Sequence, residues 1–161
     1  MKPLSITLFC LFLAFGAYAQ TSDAEADALA TLLGVQKKEA ISHLVSVSGK
    51  DSVTFWNLYE EYNKKNTSTI KARIRLYEAT ARAYGNMTNA TADSLAARYF
   101  DNRGGQEKSL EEYYKKIKLA TNPVVAFEFY QAEVYVLTQI RASIMQQIPT
   151  YGQVQSAAKK R

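Results

Sequence analysis

Apolar and aromatic residues in this chain recur at steps of three and four, the spacing that lines one face of an α-helix. The clearest run reads Phe55, Tyr59, Tyr62, Asn66, Ile70, Ile74, Tyr77, Ala81 and Tyr84. No glycine or proline interrupts it, and it predicts one long helix from about residue 51 to residue 84, ended by Gly85. At ~1.5 Å per residue such a helix spans about 50 Å. That exceeds what a compact domain of this size needs, and it predicts an elongated shape.

Three further segments carry the same period. Leu33, Gln36, Ala40, Leu44 and Val47 predict a helix from about residue 32 to residue 47. Ser48-Gly49 closes it, glycine being the residue that most easily enters a left-handed turn. Leu95, Tyr99, Gln106, Leu110, Tyr113 and Ile117 predict a third helix, with Thr88 as its N-cap. Gly104-Gly105 interrupts it, which leaves one helix with a weak point or two shorter ones, a single kinked helix being the favoured reading. Asn122-Pro123 opens a fourth, asparagine capping and proline sitting where its missing amide hydrogen costs nothing. From Val124 to Ile148 apolar residues occupy most of the circumference and only Glu128, Glu133 and Arg141 are charged. Such a helix is expected at the centre of a bundle.

Strand-like alternation is absent, and Glu60/Lys64, Glu61/Lys65, Glu111/Lys115 and Glu112/Lys116 stand in the acid-before-base order that favours helix. The expected fold is all-α. It is an elongated bundle of three to four antiparallel helices, with one long helix (about 51–84) and a central apolar one (about 123–148).

The ends of the chain read differently. Lys2, the apolar run Leu4 to Phe15 and the small residues of Ala17-Tyr18-Ala19 form a secretory signal over residues 1–19, with cleavage before Gln20. Its apolar run is too short for a membrane span. Residues 20–31, polar and acidic, read as a flexible lead-in; residues 32–149 as a single helical domain; residues 150–161 as a basic flexible tail.

Composition narrows the chemistry. The one cysteine, Cys10, lies inside the signal, so the processed chain has no thiol for a disulfide, a nucleophile or a soft metal. His43 is the only histidine, too few imidazoles for a transition-metal site. No glycine-rich phosphate loop and no nucleophile elbow is present. Neither cofactor, metal nor catalysis is expected. The carboxylate pairs Glu60-Glu61 and Glu111-Glu112 sit among lysines and read as solvated faces. Glu133, alone on the most apolar helix, calls for a buried basic partner from another helix rather than for acid–base work. The net charge of +5 is modest and mixed in sign, which disfavours nucleic acid.

Lys71, Arg73, Arg75 and Arg82 concentrate positive charge in the second half of the long helix, with Ile74 and Tyr77 between them. They define a candidate face for unfolded or acidic polypeptides. Eleven tyrosines against one tryptophan, Trp56, suit either half-wet packing or an adaptable binding surface.

The Phe55-Trp56-Asn57-Leu58-Tyr59-Glu60-Glu61-Tyr62 stretch, the Met87-Thr88 helix start and Phe129-Tyr130-Gln131-Ala132-Glu133 leading to Ile148-Pro149 resemble the Spy/CpxP-like family of bacterial periplasmic proteins. The similarity runs from about Val35 to Pro149. The family's Leu-Thr-x-x-Gln signature is a capping box; here Met87 stands for the leucine and Thr91 for the glutamine. The resemblance implies a thin, curved helical homodimer that holds unfolded proteins without ATP, and in other members a restraint on envelope-stress sensors. The expectations are a periplasmic holdase first, then a binder of a membrane sensor's outer domain, then a structural envelope protein. Phe55, Trp56, Tyr59, Tyr62, Thr88, Pro123 and Glu133 are expected to hold the fold.

Overall fold

The computed structural model describes residues 23–147. Four helices follow one another: α1 (Asp23–Leu44), α2 (Gly49–Ala83), α3 (Asn89–Ala120) and α4 (Pro123–Gln147), with a 3-10 turn at Tyr84–Asn86 between α2 and α3. Each helix packs on its neighbours in the sequence, and α1 also packs on α4, which closes the ring. Cross-links fix the directions. Thr80 meets Tyr99 and Asn66 meets Ser109, so α2 and α3 run antiparallel. Lys37 meets Glu133 and the Ser46 amide meets Glu128, so α1 and α4 do as well. The all-α bundle expected from the periodicity is what the chain adopts, at the upper count of four helices.

Local chemistry explains the ends. Thr88 Oγ1 accepts the Thr91 amide at 3.1 Å and lies 2.9 Å from the Thr91 hydroxyl, which forms the threonine half of the capping box. Asn122 Oδ1 accepts the amides of Val124 and Val125 at 3.0 and 3.1 Å, and Pro123 occupies the first turn. Gly49 has φ of 59°, the left-handed conformation glycine tolerates best. It stands at the start of α2, after the non-helical residues 45–48.

Four expectations need correction. The lead-in assigned to residues 20–31 is helical from Asp23 on, and α1 ends at Leu44 rather than Val47. Alanine is the strongest helix former, and Ala24, Ala26, Ala28 and Ala30, with Leu29, outweigh Asp23, Glu25 and Asp27. Lys37 and Ile41 on α1, and Val45 just past its end, are buried while Leu44 is exposed, so the inward stripe lies one position from the expected one. The third helix, by contrast, is the single helix expected, continuous through Gly104-Gly105. Finally, α4 is not central: a ring of four has no central member, and Val124, Phe127, Val134 and Tyr135 face outward. The signal at 1–19, the stop at Pro149 and the tail at 150–161 lie outside the described residues.

The main core is built from Ile41, Phe55, Tyr59, Tyr62, Tyr113, Ile117 and Phe129, closed over by Trp56. Phe129 reaches across from α4 and meets Phe55, Tyr59 and Tyr62 edge-on, with ring centroids 6.4, 6.2 and 5.3 Å away. Edge-to-face contacts of this kind add to the burial of the rings themselves.

Candidate functional site

Glu133 projects from α4 into this aromatic core and is fully buried. Three donors meet its two oxygens. Tyr59 donates its hydroxyl to Oε1 at 3.0 Å; Tyr62 and Lys37 donate to Oε2 at 2.8 and 3.1 Å. Lys37 is itself 3 % exposed, and its Nζ stands 4.7 Å from the centroid of the Tyr62 ring. The ion pair and both tyrosines therefore join α1, α2 and α4 at one point. The basic partner that Glu133 called for comes from α1.

The electrostatics suit a clamp better than a reactive centre. Burial pushes the hydroxyls of Tyr59 and Tyr62 far above the ordinary tyrosine range, and the nearby Glu133 charge and its hydrogen bonds push further in the same direction. Both rings stay protonated donors. The carboxylate has its lone pairs occupied by three donors and no exposed surface from which to reach a substrate. One turn along α2, Asn66 extends the network, donating to the Tyr62 carbonyl at 2.8 Å and to Ser109 Oγ of α3 at 3.0 Å.

The remaining carboxylates are solvated, and some tie helices together. Glu60 pairs with Lys38 of α1 rather than with Lys64. Glu112 pairs with Lys65 of α2 as well as with Lys116, and Glu111 with Lys115. The Lys115 hydrogen bond lowers the Glu111 carboxyl below its usual range; those from Lys65 and Lys116 do the same for Glu112. His43 is exposed in the last turn of α1. Among the described residues no three His, Cys, Asp or Glu side chains gather where they could hold a metal ion.

The six candidate binding residues on α2 do not form one surface. Tyr77 is buried, tilted against the Tyr99 ring with centroids 6.0 Å apart. Arg73 is half-buried; its Nε donates to Asn102 Oδ1 of α3, and its guanidinium lies 5.7 Å from the Tyr99 ring centroid. Ile74 is half-buried beside them. Arg75 and Arg82 are exposed and Lys71 half-exposed. At 100° per residue, Lys71, Arg75 and Arg82 share one side of α2, and Arg73, Ile74 and Tyr77 another. Alternation along the chain had merged two faces into one.

Sequence reasoning missed two features. Lys37 reads as a surface lysine, yet it stands four residues before Ile41 and eight before Val45, in line with the buried side of α1. The solvent-facing apolar row on α4 was read as core. Among the described residues no helix is long and apolar enough to cross a membrane. Compared with family models, curated proteins and solved structures, the chain matches none.

Proposed function

We propose that this chain is an exported, ATP-independent holdase that captures unfolded polypeptides in the periplasm. One observation carries the reading: α4 presents Val124, Phe127, Val134 and Tyr135 to solvent, with Phe127 56 % and Val124 66 % exposed. Between Glu128 and Arg141 its only charge is the buried Glu133. These four share one side of α4, with the exposed Gln131 among them, and exposed apolar groups gathered on one side of a helix are the kind of surface that meets another chain. The capturing surface is thus α4 rather than the α2 face that the sequence suggested. Export rests on the signal-like residues 1–19, and the holdase assignment agrees with the resemblance to Spy/CpxP-like proteins.

The mechanism is weak, reversible contact. Exposed rings and methyl groups cover apolar stretches of the client, and the net positive charge speeds encounter with acidic ones. The purified chain is expected to suppress aggregation of a chemically denatured client at near-stoichiometric ratio. Phe127→Asp with Val134→Asp is expected to abolish suppression while leaving far-ultraviolet circular dichroism unchanged. Absence of suppression at every ratio and salt concentration sinks the proposal, and recovery of one specific sensor domain in its place would move the assignment to a regulatory partner.

A further inference from the structure

The exposed side of α4 borders an open groove that it shares with α3. Tyr114, Phe127 and Tyr130 wall the groove, Glu107, Lys108 and Glu111 edge it, and it holds about 430 Å³. That is within the range of ligand sites. Glu107, Glu111 and Tyr114 follow one another at steps of four and three on α3, and Phe127 and Tyr130 at a step of three on α4, so each helix turns one side to the groove. Phe127 is 56 % and Tyr130 36 % exposed, which leaves both rings within reach of a partner in solvent.

These rings differ from others in the molecule. On α2 and α3 cations of the chain itself stand over aromatic faces: Lys38 over Trp56, Arg73 over Tyr99 and Lys116 over Tyr113, at 5.8, 5.7 and 4.4 Å from the ring centroids. Among the described residues no cation stands over Tyr114, Phe127 or Tyr130. An aromatic face attracts an ammonium or a guanidinium through its quadrupole. The groove's edge has the matching sign, two carboxylates against one lysine. Glu111 meets Lys115 through Oε1, and that hydrogen bond keeps its carboxyl below the usual range and so charged at neutral pH.

We propose that this groove seats a basic side chain of a captured polypeptide, its cation against the rings of Tyr114, Phe127 and Tyr130 and beside Glu107 and Glu111. The apolar neighbour of that side chain lies along the exposed side of α4, on Val134. The inference rests on the capture reading and names the class of segment retained: lysine or arginine next to a large apolar residue. Net positive charge acts on approach from a distance, and the groove acts on what stays.

Fluorescence anisotropy of short dye-labelled peptides on the full chain tests this. One apolar frame carries lysine, glutamine or glutamate at its centre. The lysine peptide is expected to saturate at one per chain and to bind about fivefold or more tightly than the glutamine peptide, the worth of a partly exposed cation–ring contact with a surface charge pair. The glutamate peptide is expected to bind most weakly. Glu107→Gln with Glu111→Gln and Tyr130→Leu is expected to abolish the preference for lysine, with binding of the glutamine peptide and helicity unchanged. Should that variant fail to fold, ring resonances of Tyr114 and Tyr130 in the unaltered chain are expected to move on adding the lysine peptide, those of Tyr77 not. Glutamate binding as tightly as lysine, a preference that survives the triple change, or several peptides per chain overturns the proposal. Suppression of client aggregation without a preference for lysine overturns the groove alone; absence of both overturns capture as well.

Discussion

The two halves of the bundle are held by different means. Near the turns at 45–48 and 121–122, Phe55, Tyr59, Tyr62, Ile41, Ile117 and Phe129 lose essentially all exposure, and a buried ion pair sits among them. Toward the 3-10 turn, the described residues of α2 and α3 bury only Leu76, Tyr77 and Leu95, with Ile70 and Ile74 half-covered. Charge follows the same division, since residues 68–105 carry six cations against three acids. Yet α2 keeps one spacing along its whole length. The difference lies opposite it. Tyr62 faces Tyr113 and Phe129, whereas Arg73 faces Asn102, and Ile70 and Ile74 line a small open hollow between the helices. A helical period states which side turns inward; the neighbours decide whether that side is filled.

This contrast can be broken most forcefully at Glu133. Glu133→Gln leaves Lys37 buried without a counter-charge and is expected to cost about 3–5 kcal/mol in urea denaturation. Adding Lys37→Met to that variant is expected to restore more than half of the loss. If the double variant is no better than the single, the ion pair is not the source of the cost.

Alkaline titration comes next. Tyr59 and Tyr62 have folded-state pKa values raised above the ordinary 10.0 by burial and by Glu133. Their contribution is fully present below that ordinary value and is lost as pH rises above it, because the unfolded chain releases protons that the folded chain retains. Stability is expected to fall by up to about 1.4 kcal/mol per pH unit for each tyrosine. Tyr59→Phe should remove one share of that slope, read from denaturation midpoints between pH 9 and 11 (about one unit to either side of the free value).

In the other half, Ile74→Ala is expected to cost about 1–2 kcal/mol, less than the about 3–5 kcal/mol expected for Phe129→Ala in the ring core. Equal losses would erase the distinction between the halves. The smallest effect has the opposite sign. A Cβ placed on Gly104 or Gly105 meets nothing within 4 Å. Each Gly→Ala change is therefore expected to stabilise by about 1 kcal/mol, read as a rise in melting temperature.

Much of the architecture could be read from residue order because it rests on local chemistry. Thr88 and Asn122-Pro123 act through their own backbone neighbours, and Phe55, Tyr59 and Tyr62 announce their side by spacing. The clamp was half legible: a lone acid on an apolar helix demands a partner, but the partner's identity depends on how α1 rotates against α4. That rotation was misjudged by one residue because Leu44 outweighs Ile41 and Val45 only when packing is ignored. The outward row on α4 was hidden for a related reason. Apolar residues all round a helix are compatible with a central position or with one side left exposed, and only the ring of four decides between them.

The clamp also sets an order of events. Lys37 and Glu133 are 96 residues apart, and Tyr59 and Tyr62 wait for the same carboxylate across 74 and 71. In a chain delivered from its N-terminus, α1 and the tyrosine edge of α2 emerge long before their common acceptor does. Their burial is unfavourable until it arrives, so premature collapse of the leading helices is penalised. Completion of the last helix acts as the latch.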